Sequence, residues 1–511
     1  AVIAHDLDQA RAEASAADDL YASGDERGPL HGLPMTVKDC YETTGLPTIA
    51  GAPELIGHEP SRDATVVRLL RRAGAIIWGK TNVPYMAGDH QTYNEVHGLT
   101  KNPWNTDRTA GGSSGGAAAA IATGMTTAEV GSDIGGSIRQ PSSHNGVYGL
   151  KTTFGLVSGR GHIPGPPGSV ATLDLGVFGP MGRSCGDLRA ILEVLTDTST
   201  AANGVPGLVL PHQDEPVDIE DLRIGVWADD SLSPVDSSVV GVIEAAMAGL
   251  QDAGAKVDPD ARPPFVAEQL WDTYQDLLAA ALSTGFPDDF YDKLVERAAN
   301  GGTDPRAQMA RRVTISHRAW LEADECRSQA QVAWSELFEH HVDVLIAPVS
   351  PVPAFAHDTE RAYDDRTISV NGVDVPYRNQ LFWAGLATMP GLPAITVPLG
   401  FSPDGMPIGI QIIGPQWSDH RLIAIGEEIS SVLGVNFTPP PLTARQDGRG
   451  QGRGRRCRTR RLPDGAPTGR RRSRRHAVRG GQPARAHRRL RAVSSGVTTS
   501  AGPTTIRCRQ G

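Results

Sequence analysis

Gly131-Ser132-Asp133-Ile134-Gly135-Gly136-Ser137-Ile138-Arg139-Gln140-Pro141 follows the strand-like Thr127-Ala128-Glu129-Val130, and the rest of the chain is best read outward from it. A serine directly after two glycines at a strand end can turn its hydroxyl and several successive backbone N–H groups toward one small volume. Acyl transfer needs that arrangement, with a nucleophile and oxyanion donors within about 3 Å of one carbonyl. No Gly-x-Ser-x-Gly elbow is present, so an α/β-hydrolase with a Ser-His-Asp triad is not indicated. A second Gly/Ser element stands upstream, Thr109-Ala110-Gly111-Gly112-Ser113-Ser114-Gly115-Gly116, and runs into the helix-forming Ala117-Ala118-Ala119-Ala120-Ile121-Ala122. Backbone N–H groups near a positive helix end suit an anion or a developing oxyanion. Taken alone, this loop reads equally well as a flexible linker. A phosphate-binding loop is disfavoured, because no Gly-Lys-Ser/Thr follows at the required spacing.

A serine hydroxyl is a poor nucleophile at neutral pH and needs a base. Gly32-Leu33-Pro34-Met35-Thr36-Val37-Lys38-Asp39 offers a lysine at the end of an apolar, strand-like stretch. Burial penalises the ammonium form, so a lysine held among serines and glycines can be neutral and act as the base. The alternative is a surface lysine beside an acidic neighbour, the commoner fate of a Lys-Asp pair.

Helical and strand patterns alternate around these segments. Residues 6–22 and 65–73 place apolar groups at helical spacing, the second stopped by Gly74. Short apolar runs at 75–78, 222–227, 342–347, 394–397 and 408–413 read as buried strands, and 418–434 as a closing amphipathic helix. Strands separated by helices predict an α/β layer architecture with a largely buried sheet. Residues about 266–340 read as a helical excursion forming one wall of a cleft.

The mean charge conceals a division. Of the 511 residues, 49 are basic and 58 acidic, a net charge of −9. Residues 445–511 hold 20 arginines, no lysine, no aromatic residue and only Asp447 and Asp464 as acids, a net +18 that leaves −27 on the preceding residues. Without aromatic or periodic apolar groups this Arg-rich tail is expected to be disordered, and its composition fits translation of GC-rich sequence in a shifted frame. No run of about 18 apolar residues marks a transmembrane helix. No secretory signal is legible after Ala1, which is not a methionine, so an N-terminal piece is expected to precede it. Five dispersed cysteines without a CxxC disfavour a zinc site or disulfide framework and point to a reducing, cytoplasmic setting.

Taken together and in order, these segments resemble the amidase signature family. The likeness runs through Gly32-Leu33-Pro34 to Lys38-Asp39, Gly79-Lys80-Thr81-Asn82, Asn102-Pro103-Trp104, both Gly/Ser elements, Gly179-Pro180-Met181, Gly391-Leu392-Pro393-Ala394 and Pro407-Ile408-Gly409-Ile410-Gln411. The resemblance implies an α/β fold in a single large domain with a central mixed sheet flanked by helices, one amidase domain over 1–443, entered after the family's first helices, with 444–511 outside it. It implies hydrolysis of an amide C–N bond through a seryl acyl-enzyme and a Ser-cisSer-Lys triad. Ser137 then matches the nucleophile, Lys38 the base, and Ser113 the serine of the cis peptide, with Gly112 before it lowering steric cost. Backbone N–H groups of Ile134, Gly135, Gly136 and Ser137 would hold the oxyanion, Ser114 would support the loop, and Asp133 with Arg139 would brace the site. No metal or other cofactor is implied. The expected partner is a small-molecule amide, without nucleic acid or membrane, and a homodimer is left open.

Tyr85, Ser142-Ser143-His144-Asn145-Gly146 and Lys151-Thr152-Thr153 depart from the family pattern beside the core motifs, which bears on substrate choice more than on chemistry. His144 and His162 are minor catalytic candidates, since the lysine already supplies a base. The loop Gly161-His162-Ile163-Pro164-Gly165-Pro166-Pro167-Gly168 is expected to be rigid and to border the substrate entrance. A free-standing amidase acting on a small acyl or aryl amide is the first reading. The second is the glutamine-hydrolysing A subunit of a tRNA-dependent amidotransferase. A nucleic-acid-binding protein using the basic tail is the third, opposed by the acidic body and the absence of base-stacking aromatics.

Overall fold

Val344, Leu345, Ile346 and Ala347 are fully buried, as are Ile395, Val397, Ile410 and Ile412, because the strands that carry them are covered on both faces. These residues lie at the centre of the fold in the computed structural model, which describes residues 1–196 and 217–441. All described residues fall in one unit, Ala1–Leu442. The Arg-rich tail and its expected disorder lie outside the described residues.

Eight strands form the central sheet, in the order Lys256–Asp258, Arg223–Val226, Val344–Pro348, Pro407–Ile413, Ala394–Phe401, Tyr148–Lys151, Val177–Gly182 and Glu129–Asp133. The first three are parallel and every later pairing is antiparallel, so the sheet is mixed. Helices cover both faces. Ile395 points at Gly426 of the helix Asp419–Val432, while Gly409, paired to the oppositely facing Pro398, abuts Ser143 of the helix Arg139–Asn145. The helical excursion is present as Ala267–Leu282, Asp288–Ala299, Pro305–Val313 and His317–His340.

The structure refines the single-sheet reading at one point that matters for function. Pro34–Lys38 and Ile76–Thr81 do not join the central sheet. They pair in parallel in a separate three-stranded sheet completed by Val2–His5, a strand that the sequence pattern did not reveal. This small sheet brings Pro34–Lys38 alongside Glu129–Asp133, the edge strand of the large sheet. Upstream of Ile76, the helix Thr65–Arg72 stops at Gly74, whose φ of +91° puts it in the left-handed region. A Cβ there would come within 2.8 Å of His31 Cα, so glycine is needed for packing as well.

Candidate active site

Lys38 ends its strand with no exposed surface. Its Nζ lies 2.7 Å from Ser113 Oγ and donates to Ser132 Oγ at 2.9 Å, with the Ser132 carbonyl at 3.4 Å. Burial pushes the amine below its ordinary value, and the charges of Cys40, Asp133 and Glu129 offset this only in part. The side chain is thus a desolvated amine whose close neighbours are hydroxyls.

Ser113 is presented by the loop that enters the helix Gly115–Ala122, and the Gly112–Ser113 peptide is cis. Gly112 has no room for a side chain, since a Cβ would lie 2.3 Å from the Asp89 carbonyl oxygen and 2.7 Å from the His90 carbonyl carbon. The two Gly/Ser elements are tied by Ser114 N–H, which donates to the Ser137 carbonyl at 3.2 Å. Ser114 therefore supports the loop through its main chain, while its hydroxyl is buried without a partner among the described residues.

At the end of Glu129–Asp133, the Asp133 carboxylate organises the turn that carries Ser137. It accepts from the N–H groups of Gly136, Ile138 and Arg139 at 2.9, 3.0 and 3.3 Å, and from Arg139 Nε and Nη2 at 3.1 and 2.9 Å. Burial alone would raise this carboxyl, but the Arg139 guanidinium outweighs it and holds the group well below the usual carboxylate range. The other three N–H bonds of Arg139 reach the Ala384 carbonyl, Gln411 Oε1 and Thr388 Oγ1 at 3.1, 2.8 and 2.8 Å. All five guanidinium donors are used, which a lysine could not reproduce.

The N–H of Gly136 is occupied by Asp133 Oδ1, because a φ of +97° at Gly136 folds the turn back over the carboxylate. No described group accepts from the N–H groups of Ile134, Gly135 or Ser137, so three donors remain where four were expected. Ser137 is 6% exposed, and its hydroxyl has no hydrogen-bond partner among the described residues. The Ser113-to-Ser137 hydroxyl contact is thus not made here, as is common before substrate tightens a site.

Two contributors escaped the sequence reading. Tyr274 donates its hydroxyl to the Ile134 carbonyl at 2.7 Å, buttressing the Ser137 turn from the helix Ala267–Leu282. Nothing local to Tyr274 signals this. Ser132 lay inside the quoted motif, and its place beside Lys38 follows only from the packing of two different sheets. Neither minor candidate hydrogen-bonds the lysine or the serines among the described residues. Burial pushes His144 down to about 3, and its ring packs edge-on to Phe355. His162 packs against Tyr41 and Phe178. Tyr85 donates to Glu54 at the surface. The loop of residues 161–168 and the helical excursion do line one common cavity.

The amidase family model matches residues 1–423. The chain belongs to the amidase family. Like its relatives, this amidase is a hydrolase of carbon–nitrogen bonds other than peptide bonds. It is 32% identical over 469 residues to the A subunit of the glutamyl-tRNA(Gln) amidotransferase of Roseiflexus castenholzii, covering 86% of this chain and 89% of that protein. It is 34% identical over 466 residues to the corresponding protein of Geobacillus stearothermophilus, covering 85% and 90%. A crystal structure of an amidase superposes with a TM-score of 0.68 at 28% identity, covering 84% of this chain and 91% of that one. Among the described residues, no helix is long and apolar enough to cross a membrane, and no group of three or more His, Cys, Asp or Glu is placed to hold a metal.

Proposed function

We propose that this amidase converts a carboxamide to carboxylate and ammonia through an acyl-enzyme on Ser137. Neutral Lys38 takes the proton of Ser113 while Ser113 takes that of Ser137, and Ser137 Oγ adds to the amide carbonyl. The free N–H groups of Ile134, Gly135 and Ser137 stabilise the oxyanion. The relay then returns a proton to the leaving nitrogen as the C–N bond breaks, and water releases the carboxylate. The single observation that carries this reading is the buried Lys38 amine 2.7 Å from Ser113 Oγ, lowered in pKa and faced by hydroxyls.

The curated relatives favour the amidotransferase reading over the free-standing amidase that the sequence put first, so glutamine is the leading natural substrate on that comparison. The test is ammonia release by the purified chain from glutamine and from simple amides, with and without added partner subunits, using Ser137→Ala as the blank. Turnover abolished by Ser137→Ala, with fluorophosphonate labelling of the Ser137 peptide lost as well, is the expected result. Labelling of that peptide retained in Ser137→Ala would sink the nucleophile assignment.

A further inference from the structure

The carbonyl that accepts from Tyr274 at 2.7 Å, that of Ile134, shares its peptide unit with the Gly135 N–H, which has no acceptor among the described residues. This unit is trans, since the cis peptides of the described residues are Gly112–Ser113 and Ile163–Pro164. In a planar trans unit the C=O and N–H point in opposite directions, so holding the carbonyl sets the direction of the N–H. Gly135 and Gly136 follow, and their backbones rotate at little steric cost. Without an anchor the unit can turn over, which would aim a carbonyl oxygen where the Gly135 N–H now points.

The anchoring hydroxyl is itself fixed. Tyr274 has no exposed surface, and its ring lies against the helix Gln380–Thr388, where a Cβ on Gly385 would come within 2.7 Å of Tyr274 Cδ1. Gly135 faces the same helix, since a Cβ there would lie 2.8 Å from Leu381 Cδ2. Burial pushes the phenol above its ordinary value, so it stays protonated and can only donate to the carbonyl. A donor on the carbonyl of a buried peptide also polarises that unit and strengthens its N–H as a donor. The next N–H along, that of Gly136, is held by Asp133, so the turn is gripped at two successive peptides.

Resting on the Ser137 acyl-enzyme reading, we infer that Tyr274 is a positioning residue for the oxyanion site: its hydroxyl keeps the Ile134–Gly135 peptide turned so that the Gly135 N–H meets the developing charge. The contribution appears in the transition state, where the carbonyl oxygen of the substrate becomes an oxyanion, and not in substrate binding. Removing an oxyanion donor outright costs about 10²–10³ in rate. Here the donor remains and loses only its fixed direction and added polarity, so the expected loss is about tenfold.

The test is Tyr274→Phe in the full chain, which keeps the ring and deletes the hydroxyl. With glutamine and acetamide, kcat should fall about tenfold while KM changes less than about twofold. Methylboronic acid, whose boron accepts the Ser137 oxygen and becomes a negatively charged tetrahedron as the hydroxyl proton passes to the relay, should inhibit about tenfold less well. Replacing Tyr274 with a fluorinated tyrosine, a stronger donor of nearly the same shape, should raise the rate above that of the unmodified enzyme, and this readout stands even where Tyr274→Phe fails to fold. Where neither amide turns over, the rate of Ser137 phosphonylation carries the same comparison. A rate in Tyr274→Phe equal to that of the unmodified enzyme, a loss confined to KM, or boronic acid inhibition left unchanged overturns the inference while leaving Ser137 chemistry standing. No turnover of either amide by the unmodified chain together with no labelling of Ser137 would sink both.

Discussion

Lys38 and Lys80 sit on paired neighbouring strands, both without exposed surface, yet they are solvated by different chemistry. Lys80 Nζ donates to the Tyr41 carbonyl at 2.6 Å and Thr48 Oγ1 at 2.8 Å, and it lies 3.4 Å from the Asp39 carboxylate. Lys38 has serine hydroxyls at those distances and, among the described residues, no carboxylate in contact. Burial lowers both amines, but at Lys80 the adjacent carboxylate pulls hardest in the opposite direction. A buried lysine set against a carboxylate has a neighbour that favours its charged form and fixes its place beside the small sheet. A buried lysine among hydroxyls is free to be neutral and to accept a proton. Burial alone does not distinguish a base from a strut; the identity of the nearest oxygen does.

The comparison breaks most visibly at Lys38→Ala, which should slow acylation by about 10²–10⁴, the usual worth of a positioned base, in pre-steady-state measurements at neutral pH. Lys80→Ala should invert the pattern. Leaving Asp39 buried and unpaired should cost about 3–5 kcal/mol in denaturant unfolding, while acylation by the folded protein changes less than about tenfold. The buried Glu129 carboxylate, which accepts from the Thr36 hydroxyl, sharpens the contrast. Burial raises Glu129 from 4.5 to about 7 despite Lys80 and Lys38. Because the folded state prefers the protonated form, the stability this gives is present below pH 4.5 and is lost as pH rises toward about 7. Glu129→Gln should remove that decline, which melting temperatures at pH 5 and pH 8 would show. The smallest effect belongs to Ser132→Ala, which removes one hydrogen bond from Lys38 Nζ and should slow acylation by about tenfold.

Much of the site is readable in the sequence because its chemistry is local. Asp133, Gly136, Ser137 and Arg139 lie within one turn, and the hydrogen bonds that shape it join residues a few positions apart. The helix ends at Asp6 and Gly74 and the apolar runs at 344–347 and 408–413 are equally local, so those elements stand where their patterns put them. Long-range consequences are not readable in this way. Tyr148–Lys151 and Val177–Gly182 owe their strand pairing to distant partners, and Tyr274 reaches Ile134 across 140 residues. That the Gly136 N–H is taken by the Asp133 carboxylate is likewise a choice that spacing alone does not decide.

The pH dependence of Ser137 phosphonylation by a fluorophosphonate, located by peptide mass spectrometry in the unmodified enzyme, tests the role of Lys38 most directly. Because burial lowers this amine from 10.5, the rate should rise as Lys38 loses its proton and level off below that pH, and Lys38→Ala should abolish both the rise and most of the rate. A rate in Lys38→Ala that matches the unmodified enzyme across the same pH range would contradict the account.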